Sequence, residues 1–139
     1  MKKIILVFLF ILTSFFGNSQ TLNEETSALL DSLNKYKFLN SSKALNYGLQ
    51  ALEINDPGAI SQDITDINLV IGEVLFYQNN FAKSIEYYIA ALNMHNLLPI
   101  KDRLHKYVNE PPWILVALGN LYFKIERFEI AEKKYSING

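Results

Sequence analysis

Histidines and paired carboxylates are the side chains of this sequence best suited to chemistry, and their spacing is informative. His95 and His105 are the only histidines, and the ten residues between them match no zinc-ligand pattern. Asp102, close to His105, is a neighbour of surface character. Asp63 and Asp66 stand together at the start of a helical pattern. Carboxylates there complement the positive end of the helix dipole, which accounts for them without catalysis. The absence of cysteine excludes disulfides, thiolate metal sites, cysteine catalysis and lipid attachment through a thioether. There is no Gly-rich phosphate loop, no Gly-x-Ser-x-Gly and no pair of carboxylates set across a cleft. The residues therefore predict no enzyme, no metal and no cofactor.

Charge narrows the partners. Met1-Lys2-Lys3, an apolar run from Ile4 to Phe16, and Gly17-Asn18-Ser19 have the order of a secretory signal peptide, with cleavage expected after Ser19. The run is too short for the ~20 residues that span a bilayer as a helix. Removing Lys2 and Lys3 from 13 basic and 14 acidic residues leaves 11 against 14, a net charge of −3. A mildly acidic product without a Lys or Arg run argues against nucleic acid, against electrostatic docking on an anionic membrane and against direct membrane insertion of the mature region. Residues 1–19 are thus read as a signal peptide and 20–139 as one exported domain, periplasmic or extracellular.

The elements of that domain are helices. From Leu22 onward apolar residues recur at helical spacing, with no useful alternating run. Leu29, Leu30, Leu33 and Tyr36 form the face of a first helix. Asn40-Ser41-Ser42 can cap a second, which carries Ala44, Leu45, Leu49 and Leu52 and stops at Asn55-Asp56-Pro57-Gly58. A third helix runs from about Ser61 to Tyr77 and is broken by Asn79-Asn80. A fourth runs from about Phe81 to Leu97, with Pro99 ending it. Leu97 to Asn109 reads equally as a short helix or a loop. Pro111-Pro112 opens a fifth helix, Glu126-Arg127 is expected to turn the chain, and Phe128, Ala131 and Tyr135 begin a sixth.

Paired helices invite a search for repeats. Gly72, Leu75, Phe81, Ser84, Tyr88 and Ala91 have counterparts at the same offsets in Gly119, Tyr122, Phe128, Ala131, Tyr135 and Asn138. A degenerate copy starts at Ser32 with Lys35, Ser41, Ala44, Gly48 and Ala51, its register open by one residue. A mid-helix glycine costs about 1 kcal/mol relative to alanine. Close approach of a facing helix compensates for it, and Ser84 and Ala131 are small for the same reason. This pattern resembles the tetratricopeptide repeat family. The small anchors Ala44, Ser84 and Ala131 lie 40 and 47 residues apart, against a family period of about 34, so extra residues lie between hairpins.

The resemblance implies an all-α fold of stacked antiparallel helical hairpins, a tetratricopeptide-like α-solenoid of about three repeats. It also implies a concave face that holds a peptide or partner helix. Carried over by alignment, Leu69, Glu73 and Phe76 face that surface from one repeat, and Trp113, Val116, Asn120 and Phe123 from the next. Asn120 falls where carboxylate-binding members place an asparagine. The lysine expected one turn earlier is Val116, so a carboxylate clamp is not supported. Nothing after Gly139 covers the last apolar face, which predicts a chain that continues, or self-association through an uncapped C-terminal repeat. Two functions are compatible with these residues. One is a free exported module that binds a protein or peptide. The other is the extracytoplasmic sensory part of a membrane histidine kinase or transcriptional regulator, because exported repeats after such a leader resemble that arrangement.

Overall fold

Wherever the 3.6-residue apolar period was read between residues 21 and 99, the chain is helical in the structure, a computed structural model. It describes residues 21–99 and 112–137, with side chains for 21–99 and 114–129. Helix α1 covers 21–36. It is followed by α2 (Ser41–Glu53), α3 (Gln62–Tyr77), α4 (Phe81–Leu97) and α5 (Pro112–Ile137). Among the described residues there is no strand, and no helix is long and apolar enough to cross a membrane. The leader expected at 1–19 lies outside the described residues, as does the Leu97 to Asn109 insert beyond Pro99.

Local signals explain the boundaries. Asn40 has extended backbone and its side chain accepts from the Lys43 amide at 2.9 Å, starting α2. Ser61 does the same for α3, accepting from the Ile64 amide at 3.1 Å. The turn into α4 depends on Asn79, whose φ of 59° is left-handed. Asparagine tolerates that region. The turn lets the Asn80 amide reach the Leu75 carbonyl at 2.9 Å, satisfying an orphan acceptor at the end of α3. Ser61→Ala is expected to cost about 1 kcal/mol. That lowers the thermal midpoint by about 4 °C for a domain of this size, to be read from a circular dichroism melt.

The core gathers around α3. Leu33 of α1, Ala44 and Ala51 of α2, and Ile67, Val70, Ile71, Val74 and Leu75 of α3 form one buried cluster. Two glycines set the helix spacing. A Cβ on Gly48 would stand 2.7 Å from Ile71 Cγ1, and one on Gly72 would stand 2.5 Å from Tyr88 Cδ1. Ser84, directly across from Gly72, donates its Oγ to the Gly72 carbonyl at 2.7 Å. The small residues at these two offsets therefore meet in α3 and α4. In the first copy α2 keeps the Ser32 register, with Ala44, Gly48 and Ala51 buried, while in α1 the buried Leu33 lies one position after Ser32.

The third copy folds differently from expectation. No turn occurs at Glu126-Arg127, and the expected fifth and sixth helices are one continuous 26-residue helix, α5. The positions aligned with Asn79-Asn80 are Glu126-Arg127, which are good helix formers with no tolerance for a left-handed backbone. Without that turn nothing folds back onto Gly119, where an added Cβ would meet nothing within 4 Å. The third hairpin of the expected three is absent among the described residues. Leu49, expected on the apolar face of α2, is exposed, as are Leu115 and Tyr122 of α5.

Candidate functional site

The residues with the most obvious chemistry are separated by the fold. His95 is fully enclosed in the last turn of α4, while Asp102 and His105 lie outside the described residues. Among the described residues no three His, Asp or Glu side chains come together. Asp63 lies in the first turn of α3, as its dipole role requires. Asp66 lies beyond the first turn, and its Oδ1 accepts from Gln62 Nε2 at 2.9 Å, so the dipole reading does not carry over to it unchanged.

Burial pushes the Asp66 carboxyl above its ordinary range, the Gln62 hydrogen bond opposes this, and the charge of Asp63 adds to it. Because the folded-state value is raised, the favourable contribution of this group is complete below the unfolded value, near 3.9. It is lost as pH rises through the folded value. Above the unfolded value the group therefore counts against the fold. Asp66→Asn keeps an acceptor for Gln62. It is expected to raise the thermal midpoint by a few degrees at about pH 7, with the gain vanishing near pH 4, as paired melts would show.

The cleft that brings expected site residues together lies between α3 and α5. Leu69, Glu73 and Phe76 line one wall, since positions spaced by four and three share a helix face. Val116 and Asn120 line the other for the same reason. Tyr77, Tyr88 and Ala117 complete it, enclosing about 240 Å³. Phe123 is not among the lining residues and stands exposed, with Arg127 over its ring at 5.7 Å. The side chain of Trp113 lies outside the described residues.

The walls are mainly apolar, with polar groups on Glu73, Tyr88 and Asn120. Glu73 accepts from Lys37 Nζ at 2.9 Å, in a pair that is partly exposed at both ends. Such a pair contributes little to stability, but it holds the carboxylate in one place and neutralises it. The Tyr88 hydroxyl is pushed up to about 12, first by burial and also by the charge of Glu73, with Ser84 opposing. It is therefore neutral across the physiological range. At one end Lys124 sits 6.0 Å from the centre of the Phe76 ring. Tyr77, Tyr88 and Ala117 were not foreseen as cleft residues, nor was Lys37 as the partner of Glu73. Lys37 comes from the α1–α2 turn, which no repeat offset covers, and Tyr88 was read only as packing.

The volume decides what fits. Pockets for cofactors and drug-sized ligands span roughly 300–1,000 Å³, and this cleft falls below that range. It suits one or two apolar side chains of a larger partner, with Asn120 available to a backbone amide or carbonyl. No family model, no curated protein and no solved structure matches this chain.

Proposed function

We propose that this chain is a protein-interaction module of the tetratricopeptide type, which seats apolar side chains of a peptide or partner helix in the cleft between α3 and α5. The observation that carries the reading is the convergence of Leu69, Glu73, Phe76, Val116 and Asn120 on one small, mostly apolar cleft. In this reading α1 with α2 and α3 with α4 are two stacked hairpins of a solenoid, and α5 supplies the first helix of a third. The Gly72, Ser84 and Tyr88 joint supports the assignment of the second hairpin. The basic and apolar leader at residues 1–19 supports export, placing the module outside the cytoplasm. It acts by binding, with no reaction and no cofactor.

A random peptide library selected on the immobilised chain tests this. Selected peptides should carry closely spaced apolar residues, and their affinity should fall about tenfold or more for Val116→Asp, the change expected when an anchor contact exceeds ~1.4 kcal/mol. Val116 is 59% exposed, so the variant should fold normally, as a melt would verify. Peptides that bind Val116→Asp and Asn120→Ala as well as the parent chain would remove the cleft as the site.

A further inference from the structure

Net charge argues against a lipid surface, but the fold sorts the charges by end. Between Ser32 and Leu52 the only charged residues are Lys35, Lys37 and Lys43, and between Val74 and Ile85 the only one is Lys83. These segments carry the α1–α2 and α3–α4 turns, which meet where Phe38 contacts Tyr77 at 5.6 Å. From Glu53 to Asp66, at the opposite end, every charge is a carboxylate. On α5 the charges are mixed, with Lys124, Arg127, Lys133 and Lys134 against Glu126, Glu129 and Glu132, a net of +1. Glu73 offsets Lys37, Asp31 stands one turn before Lys35 and Glu86 one turn after Lys83, and the Lys43 ammonium lies 4.1 Å from the centre of the Tyr36 ring, so the two turns keep a small positive excess.

The same end is apolar. Phe38 and Leu39, adjacent at the tip of the α1–α2 turn, are 67% and 76% exposed, and Tyr77 is 60% exposed. Ring contacts run from Phe38 to Tyr77, then Phe76, Phe81 and Phe128, in steps of 5.5 to 6.1 Å. An aromatic row therefore crosses this end of the helices. Protruding apolar side chains ringed by lysines match the layering of a bilayer surface, with aromatic groups at the interface and ammonium groups at the level of anionic headgroups.

We infer that the α1–α2 and α3–α4 turns form an end-on docking surface for an anionic lipid bilayer, with Phe38 and Leu39 entering the interface and Lys35, Lys43 and Lys83 meeting the headgroups. This goes beyond the peptide-binding cleft and does not depend on it.

Because the chain has no cysteine, Leu39→Cys and, separately, Ile60→Cys can each carry one environment-sensitive fluorophore. Ile60 lies at the far end, lining a cleft with Leu22 and Thr26 at the start of α1. It therefore reports any insertion driven by the apolar leader that precedes α1. The full-length labelled chains are titrated with phosphatidylcholine vesicles, plain or containing about a quarter phosphatidylserine. The Leu39 probe should shift to the blue only with phosphatidylserine, and the Ile60 probe should stay unchanged. Lys35→Gln with Lys43→Gln should lower the partition coefficient about 25-fold, since ~1 kcal/mol per lysine corresponds to about fivefold. Raising salt should weaken binding. A shift independent of phosphatidylserine, a shift at Ile60, or no effect of the lysine changes would overturn the inference. So would a Leu39 shift that appears without vesicles as protein concentration rises, because the surface would then pair with a second copy.

Discussion

Gly72→Ala is expected to destabilise the protein by about 1 kcal/mol, whereas Gly119→Ala, at the aligned position of the next copy, should stabilise it by up to ~1 kcal/mol. The two glycines have opposite surroundings. A Cβ on Gly72 would lie 2.5 and 2.6 Å from Cδ1 and Cε1 of Tyr88, and 3.2 Å from its Cγ. These atoms belong to a rigid ring, and Tyr88 is buried, so the ring cannot simply swing away. Relief requires α3 and α4 to separate, which stretches the bond from Ser84 Oγ to the Gly72 carbonyl. Overpacking of this kind costs about 1–3 kcal/mol, occasionally more, and the improved helix propensity of alanine returns about 1 kcal/mol. At Gly119 only the propensity gain operates, since nothing lies within 4 Å. Urea unfolding of both variants checks the pair. A Gly72→Ala chain as stable as the parent would mean that the α3–α4 joint is looser than its geometry states.

Ile71→Ala should be the most damaging single change in the core, at about 2–5 kcal/mol. That is a large share of the 5–15 kcal/mol typical of a folded domain. Ile71 is fully buried. Its Cγ1 and Cδ1 lie 2.7 and 2.9 Å from the point where a Cβ on Gly48 would sit, and Leu33 Cδ2 lies 3.3 Å from that point. Three helices thus meet around one side chain. The same geometry predicts coupling. Gly48→Ala alone crowds Ile71, but in the Ile71→Ala background the crowding atoms are gone and the new methyl fills part of the cavity. The double variant should therefore be less damaged than the sum of the singles, by about 1–2 kcal/mol in a double-mutant cycle. Simple additivity would show that Gly48 is not required by Ile71.

The ends of α2, α3 and α4 were readable because each carries an explicit device. Asn40 and Ser61 cap, Asn79 turns left-handed, and Pro99 follows the last turn of α4. The continuity of α5 was not readable from the repeat. An offset alignment transfers side-chain positions, and Glu126 occupies the right place without the backbone freedom that makes Asn79 a turn. The walls of the cleft were visible at the level of helix faces, because Leu69, Glu73 and Phe76 share one stripe and Val116 and Asn120 another. Phe123 departs, standing exposed with Arg127 over its ring. The segregation of charge between the two ends had no trace in the net value, since charges far apart in the chain become neighbours only after the helices reverse.

The enclosure of α3 also has a kinetic consequence. Its buried residues run from Ile64 to Leu75, with α2 on one side and α4 on another. Its amides should exchange with solvent deuterium only when the whole domain opens, whereas α5, with Val116, Tyr122 and Phe123 exposed, should exchange through partial openings that leave the rest intact. Short turns connect α1 through α4, so most contacts join near neighbours in the chain, and refolding of that unit should fall in the microsecond-to-millisecond range of helical domains. Protection in α3 would then report global stability, and protection in α5 would report the opening of the wall that bears Val116 and Asn120.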